Sequence, residues 1–97
     1  GELLPTEFAL HQNYPNPFNP TTTLRYDLPQ DSHVLITIYD IRGRKVKTLI
    51  NESQSAGYRI TQWNATNDFG QPISAGMYIY AIQAGDFRMV KKMILLK

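Results

Sequence analysis

Thr22-Thr23-Leu24-Arg25-Tyr26-Asp27-Leu28 sets the fold class of this chain. Leu24, Tyr26 and Leu28 alternate with Thr23, Arg25 and Asp27, a period of two that places the apolar set on one face of a half-buried strand. Pro29-Gln30-Asp31-Ser32 turns the chain, and His33 to Tyr39 repeats the pattern with β-branched Val34, Ile36 and Ile38 on one side. Outward from there, the same reading predicts strands over Phe8 to Gln12, Lys45 to Asn51, Tyr58 to Trp63, Met77 to Ala84 and Arg88 to Leu96. Val46 and Leu49 break parity, which predicts a bulge. Asp40-Ile41-Arg42-Gly43-Arg44 reads as a hairpin loop in which Gly43 supplies a positive φ. Met77 to Ala84 is apolar or aromatic on both faces and reads as a central strand buried on both sides. No stretch of useful length has a helical period. Seven short strands with short connections specify an all-β chain, best fitted by a seven-strand immunoglobulin-like antiparallel β-sandwich.

Composition sets the outer bounds. The 97 residues carry 10 Lys and Arg against 8 Asp and Glu, a net charge of +2. That excess is too small for a nucleic-acid footprint. One core fits this length and a two-domain enzyme does not. Residues 1–7 read as a linker with a cut edge, since Gly1-Glu2-Leu3-Leu4-Pro5 lacks an initiator Met, and residues 8–97 as one domain. No apolar run approaches the roughly 18 residues of a transmembrane helix. The chain has no cysteine, which excludes disulfides, thiol nucleophiles and thiolate metal sites. Stability must then come from the core, for which 6 Tyr, 4 Phe and 1 Trp supply the bulk.

Chemistry is sparse. His11 and His33 are isolated, neither lies in a nucleophile motif, and a paired-carboxylate site needs a cleft that this length has little material to build. Catalysis is disfavoured, and neither cofactor nor metal is expected. Asn64, Thr66, Asn67 and Asp68 cluster oxygens in the loop after Trp63, superficially like a calcium loop. The spacing and distal Glu of a calcium loop are missing, and Asx-turns explain the same residues. Asn51-Glu52-Ser53 and Asn64-Ala65-Thr66 match the glycosylation sequon, a frequent chance match. Tyr14, Tyr39, Tyr58, Tyr78, Tyr80 and Trp63 could line a sugar platform, although core packing, with Trp63 between the sheets, is the simpler reading.

Two segments stand apart from this plain β pattern. Pro15, Pro17 and Pro20 fall within Asn13-Tyr14-Pro15-Asn16-Pro17-Phe18-Asn19-Pro20, removing three backbone donors; this reads as an extended, semi-rigid connector. Met93-Ile94-Leu95-Leu96 is a sticky apolar run guarded by Lys91, Lys92 and Lys97. These lysines read either as solvated gatekeepers or as features that a partner recognises.

Four segments occur in order: Asn13-Tyr14-Pro15-Asn16-Pro17-Phe18-Asn19-Pro20-Thr21-Thr22, Ile38-Tyr39-Asp40-Ile41-Arg42-Gly43-Arg44, Ser74-Ala75-Gly76-Met77-Tyr78, and Gly85-Asp86-Phe87 through Lys91-Lys92-Met93-Ile94-Leu95. Together they resemble the type A C-terminal sorting domain of the type IX secretion system, over roughly residues 7 to 97. The sandwich of that group is similar to the immunoglobulin-like domain of the flagellar hook-capping protein. The resemblance implies a non-catalytic module fused behind a secreted cargo of Bacteroidetes and related phyla. It implies export across the inner membrane by an N-terminal signal and reading of the folded domain by the outer-membrane translocon. A cysteine-protease-like sortase would then cut upstream of the domain and release the cargo or join it to surface lipopolysaccharide.

Carried over by motif position, the resemblance points to Pro15, Asn16, Pro17, Gly43, Gly76, Tyr78, Gly85, Lys91 and Lys92. The expected recognition set is Gly76, Tyr78, Gly85, Lys91, Lys92, Met93, Ile94 and Leu95, with Asn13 and Pro15 to Pro20 as the family connector. The lysine pair could meet an acidic surface, or the last strand could add to a receptor sheet. The rival expectation is an immunoglobulin-like accessory module of a polysaccharide-degrading enzyme, which requires exposed, coplanar aromatics. A hook-cap-type assembly domain is the third.

Overall fold

Seven strands form in a computed structural model that describes residues 3–96: β1 (Ala9–Leu10), β2 (Thr22–Leu28), β3 (Ser32–Asp40), β4 (Lys45–Gln54), β5 (Gly57–Trp63), β6 (Gly76–Ala84) and β7 (Phe87–Leu95). Every pairing is antiparallel, in a three-stranded sheet ordered β1-β2-β5 and a four-stranded sheet ordered β4-β3-β6-β7. This is the expected immunoglobulin-like sandwich, with β2 at its predicted bounds.

The core follows from alternation. Leu24, Tyr26 and Leu28 from β2 face Val34, Ile36 and Ile38 from β3 and Tyr78, Tyr80, Ile82 and Ala84 from β6. All are buried, and burying each large side chain is worth about 1.5–3 kcal/mol. The parity break in β4 resolves into two register shifts, one at each out-of-phase residue. Ile36 and Thr37 pair with Ile50 and Thr48, skipping Leu49, while Ile38 and Tyr39 pair with Lys47 and Lys45, skipping Val46. Val46 and Leu49 thereby pack against the core from an edge strand.

Two expectations are corrected. β6 is central, between β3 and β7, but only one of its faces is covered; on the other, Met77 is exposed and Ile79 and Ala81 are half-buried, because among the described residues no layer lies over the four-stranded sheet. The proline-rich segment does not run as an extended link. It packs back onto the sandwich, with Phe18 only 1% exposed and Tyr14 bridged to Thr23. Three of its peptide bonds, Tyr14-Pro15, Asn16-Pro17 and Asn19-Pro20, are cis. No helix among the described residues is long and apolar enough to cross a membrane. Lys97, expected as a guard, lies outside the described residues.

Candidate functional site

β7 is an edge strand, and its outward backbone groups would be open to another strand. The connector closes part of that edge. Phe18 donates its N–H to the Ile94 carbonyl at 3.0 Å and accepts the Leu96 N–H at 2.8 Å. The Asn16 side-chain oxygen accepts the Ile94 N–H at 2.9 Å, and the Gln12 amide donates to the Lys92 carbonyl at 2.7 Å. Prolines suit this task, since they cannot continue a ladder themselves. A receptor strand could pair alongside Lys92–Leu96 only by displacing the connector.

Buried polar groups hold the connector in place. The Asn13 amide donates to Thr22 Oγ1 at 3.0 Å and to the Pro15 carbonyl at 3.2 Å, while the Thr22 hydroxyl donates to that same carbonyl at 2.8 Å. The Tyr80 hydroxyl accepts the Asn13 N–H and donates to the His11 carbonyl, each at 2.8 Å. Burial pushes the Tyr80 phenol up to about 12. Burial likewise raises the Tyr78 phenol, whose hydroxyl donates to the Ser74 carbonyl at 2.6 Å. Phe18, Trp63 and Tyr78 form one aromatic cluster, with successive ring centroids 5.9 Å apart.

At the same end of the sandwich the β3–β4 loop is held by its first residue. Asp40 accepts the N–H groups of Arg42 at 2.9 Å and Arg44 at 3.0 Å, and its other oxygen takes the Arg44 guanidinium at 3.0 Å. The Arg44 and Arg42 backbone donors, with the Arg44 side chain, hold its carboxyl below the usual range. Gly43 has φ +82°, as a loop of this shape requires.

Three of the four family segments therefore converge, and the fourth arrives with its second half. Asp40 pairs with Tyr78, Gly76 with Leu95, and Leu95 bridges to Phe18. Gly85, with φ +58°, and Phe87 lie at the opposite end, where Phe87 stacks on Phe8 at 5.3 Å. Leu3 and Leu4 also lie at that opposite end, against Ala56 to Arg59.

Within the expected recognition set, Tyr78, Met93 and Leu95 are buried, and Ile94, Lys92 and Gly76 are exposed. Lys91 and Lys92 do not form one patch. Lys91 sits beside Tyr80 on the core-facing side, half-buried, and Lys92 beside Ile79 on the outer face, because neighbours in a strand point to opposite faces. In the connector Asn13 and Phe18 are buried, whereas Pro15, Asn16, Pro17, Asn19 and Pro20 are exposed. Gln12, Thr22 and Tyr80 were not among the expected recognition or connector residues, and the bonds they make leave no local pattern.

The other candidates separate. His11 lies 3.0 Å from Asp27 on one sheet and His33 2.7 Å from Asn51 on the other. In the loop after Trp63, Asn67 Oδ1 accepts the N–H groups of Phe69 and Gln71, Asn64 accepts the Thr66 hydroxyl, and Asp68 accepts the Thr48 N–H. The Asn67–Phe69 contact is an Asx-turn of the kind expected there, whereas Asp68 ties the loop to β4. Of the six aromatics named for a sugar platform, Trp63, Tyr78 and Tyr80 are buried and Tyr39 is half-buried, which leaves Tyr14 and Tyr58, neighbours of Thr23 and Asp27 respectively.

Solved structures share the sandwich. Dimeric latent PorU from Porphyromonas gingivalis is 24% identical with a TM-score of 0.72, over 94% of this chain and 10% of that one. PorZ, described as an essential surface component of the type-IX secretion system of the same organism, is 18% identical with a TM-score of 0.59, over 93% of this chain and 11% of that one. FlgD from Pseudomonas aeruginosa is 20% identical with a TM-score of 0.61, over 81% of this chain and 67% of that one. At these identities the likeness carries the fold alone, and the chain spans about a tenth of the PorU and PorZ chains. No curated protein sequence matches. The family model for the secretion system C-terminal sorting domain, however, matches residues 12–96, from the connector through the last strand. On that match, and on the four ordered segments that resemble type IX sorting domains, the chain belongs to the secretion system C-terminal sorting domain family.

Proposed function

We propose that this domain is a non-catalytic address. It directs a cargo fused upstream through the periplasm to the type IX translocon, for release or for anchoring at the cell surface. The observation that supports this reading is the convergence of sequence-distant family segments at the end of the sandwich carrying Phe18, Tyr78 and Leu95, opposite to Leu3 and Leu4. Cargo joined through residues 1–7 leaves that end accessible. Recognition falls on Asn16, Gly76, Lys92 and Ile94, which are exposed there, while Asn13, Phe18, Tyr78, Met93 and Leu95 fix their positions. A sortase-like cysteine peptidase would cut on the cargo side, next to exposed Leu3 and Leu4.

The test is export of a signal-peptide–reporter–domain fusion in a type IX-competent host and in a translocon-deficient one. Translocon-dependent arrival of reporter in the medium or on the cell surface is the expected result. Retention in both hosts, with the domain folded, would defeat the reading.

A further inference from the structure

The uncovered face of the four-stranded sheet has a composition that strand register fixes row by row. Met77 neighbours Ile94; the next rows are Tyr39, Ile79 and Lys92, then Thr37, Ala81 and Val90, then Leu35, Gln83 and Arg88. Lys45, Thr48 and Asn51 extend the last three rows on the β4 side. None of these residues is a carboxylate. Asp68 reaches Lys45 from a neighbouring loop at 3.9 Å, but Arg88 and Lys92 have no ion pair among the described residues. Between the cations runs an aliphatic band in which Val90 is 63% exposed, and Leu35, Ala81 and Val90 line a shallow groove. Exposed Val90, Ile94 and Met77 beside these cations fit a contact surface. The outer face of the other sheet differs: Arg25 and Asp27 pair with Ile60 and Tyr58, and His11 engages Asp27.

We infer that this face docks a protein partner whose aliphatic surface is flanked by carboxylates placed to meet Arg88 and Lys92. Charge selects the occupant. A second copy using the same face would bring cations and no carboxylate. An anionic lipid surface is the competing occupant for the same cations, and the vesicle measurement below separates it from a protein. An acidic protein surface satisfies both the aliphatic band and the cations beside it, and opposed charge also speeds encounter. The inference rests on the sorting reading for when docking occurs, and it adds the chemistry of the partner.

Four forms of the same reporter fusion test it: wild type, V90E, R88E/K92E, and I60E on the opposite sheet. Each purified chain is also melted thermally, and R88E/K92E, at an exposed edge, keeps the test valid if V90E folds poorly. Translocon-dependent export should fall about tenfold or more in V90E and R88E/K92E while I60E stays at the wild-type level. Wild-type export by V90E and R88E/K92E, or an equal fall in I60E, would overturn the docking face and leave the sorting reading intact. Failure of the wild-type fusion itself would remove the sorting reading and this inference together. Sedimentation of the wild-type chain with anionic phosphatidylglycerol vesicles, lost in R88E/K92E, would overturn it in favour of a lipid occupant.

Discussion

The side-chain oxygen of Asn16 accepts the backbone N–H of Ile94 at 2.9 Å, joining positions 78 residues apart. A polar side chain here does the work of a neighbouring strand. It occupies a donor on the edge of β7 that would otherwise invite pairing with another chain.

Replacing Asn16 with Ala should therefore cost about 0.5–1.5 kcal/mol, the net worth of one such bond. Phe18→Ala should cost about 3–5 kcal/mol through the cavity left beside Trp63. Urea denaturation followed by Trp63 fluorescence ranks the two. Light scattering at raised concentration should show more association for N16A than for wild type.

The two lysines should separate in single reversals. K91E places a carboxylate beside buried Tyr80, so it should lower the melting temperature by several degrees. K92E lies on the outer face and should leave the melt nearly unchanged while reducing reporter export. Equal behaviour of the two variants in both assays would contradict their placement on opposite faces.

Asp40 supplies an acid-side signature. Its carboxyl titrates lower in the folded chain than the ordinary value of 3.8, so the stability it contributes is present above that value and lost as pH falls through the lower, folded one. Stability measured by urea from pH 6 down to about pH 2 should fall less steeply in Asp40→Asn than in wild type.

Tyr80 supplies the alkaline counterpart. Its phenol ionises at about 12 in the folded chain against 10.0 for an ordinary tyrosine, so its contribution is complete below 10.0 and lost as pH rises toward 12. Tyr80→Phe should lose about 1–3 kcal/mol at neutral pH, because the His11 carbonyl and Asn13 N–H lose their partner. The variant should then show a shallower alkaline decline, and the ultraviolet titration of tyrosinate should lose its latest step.

Strand positions were legible because one covered face imposes strict alternation. Thr22–Leu28 announces itself, and the parity break between Val46 and Leu49 signalled a bulge, of which the structure has two. The misreading of β6 has the same origin. Met77, Ile79 and Ala81 are apolar as core residues would be, and a sequence does not say whether a second layer lies over them. The connector was legible as unusual but not as an edge cap, since Asn16, Phe18 and Gln12 act on β7 through bonds that no local spacing encodes. Lys91 and Lys92 looked like one feature only until strand alternation separated them. Trp63 as an inter-sheet residue was readable from its size; the hydrogen bonds from Tyr80 to His11 and Asn13 were not.

The bridge between Phe18 and Leu95 has a temporal consequence. During synthesis the connector emerges long before β7, so it must wait for a partner strand that has yet to be made. A chain that stops short of Leu95 lacks Phe18's partner and cannot assemble this end of the sandwich. A surface that needs both Phe18 and Leu95 is presented only after β7 has been made, so a chain cut off before Leu95 would not display it.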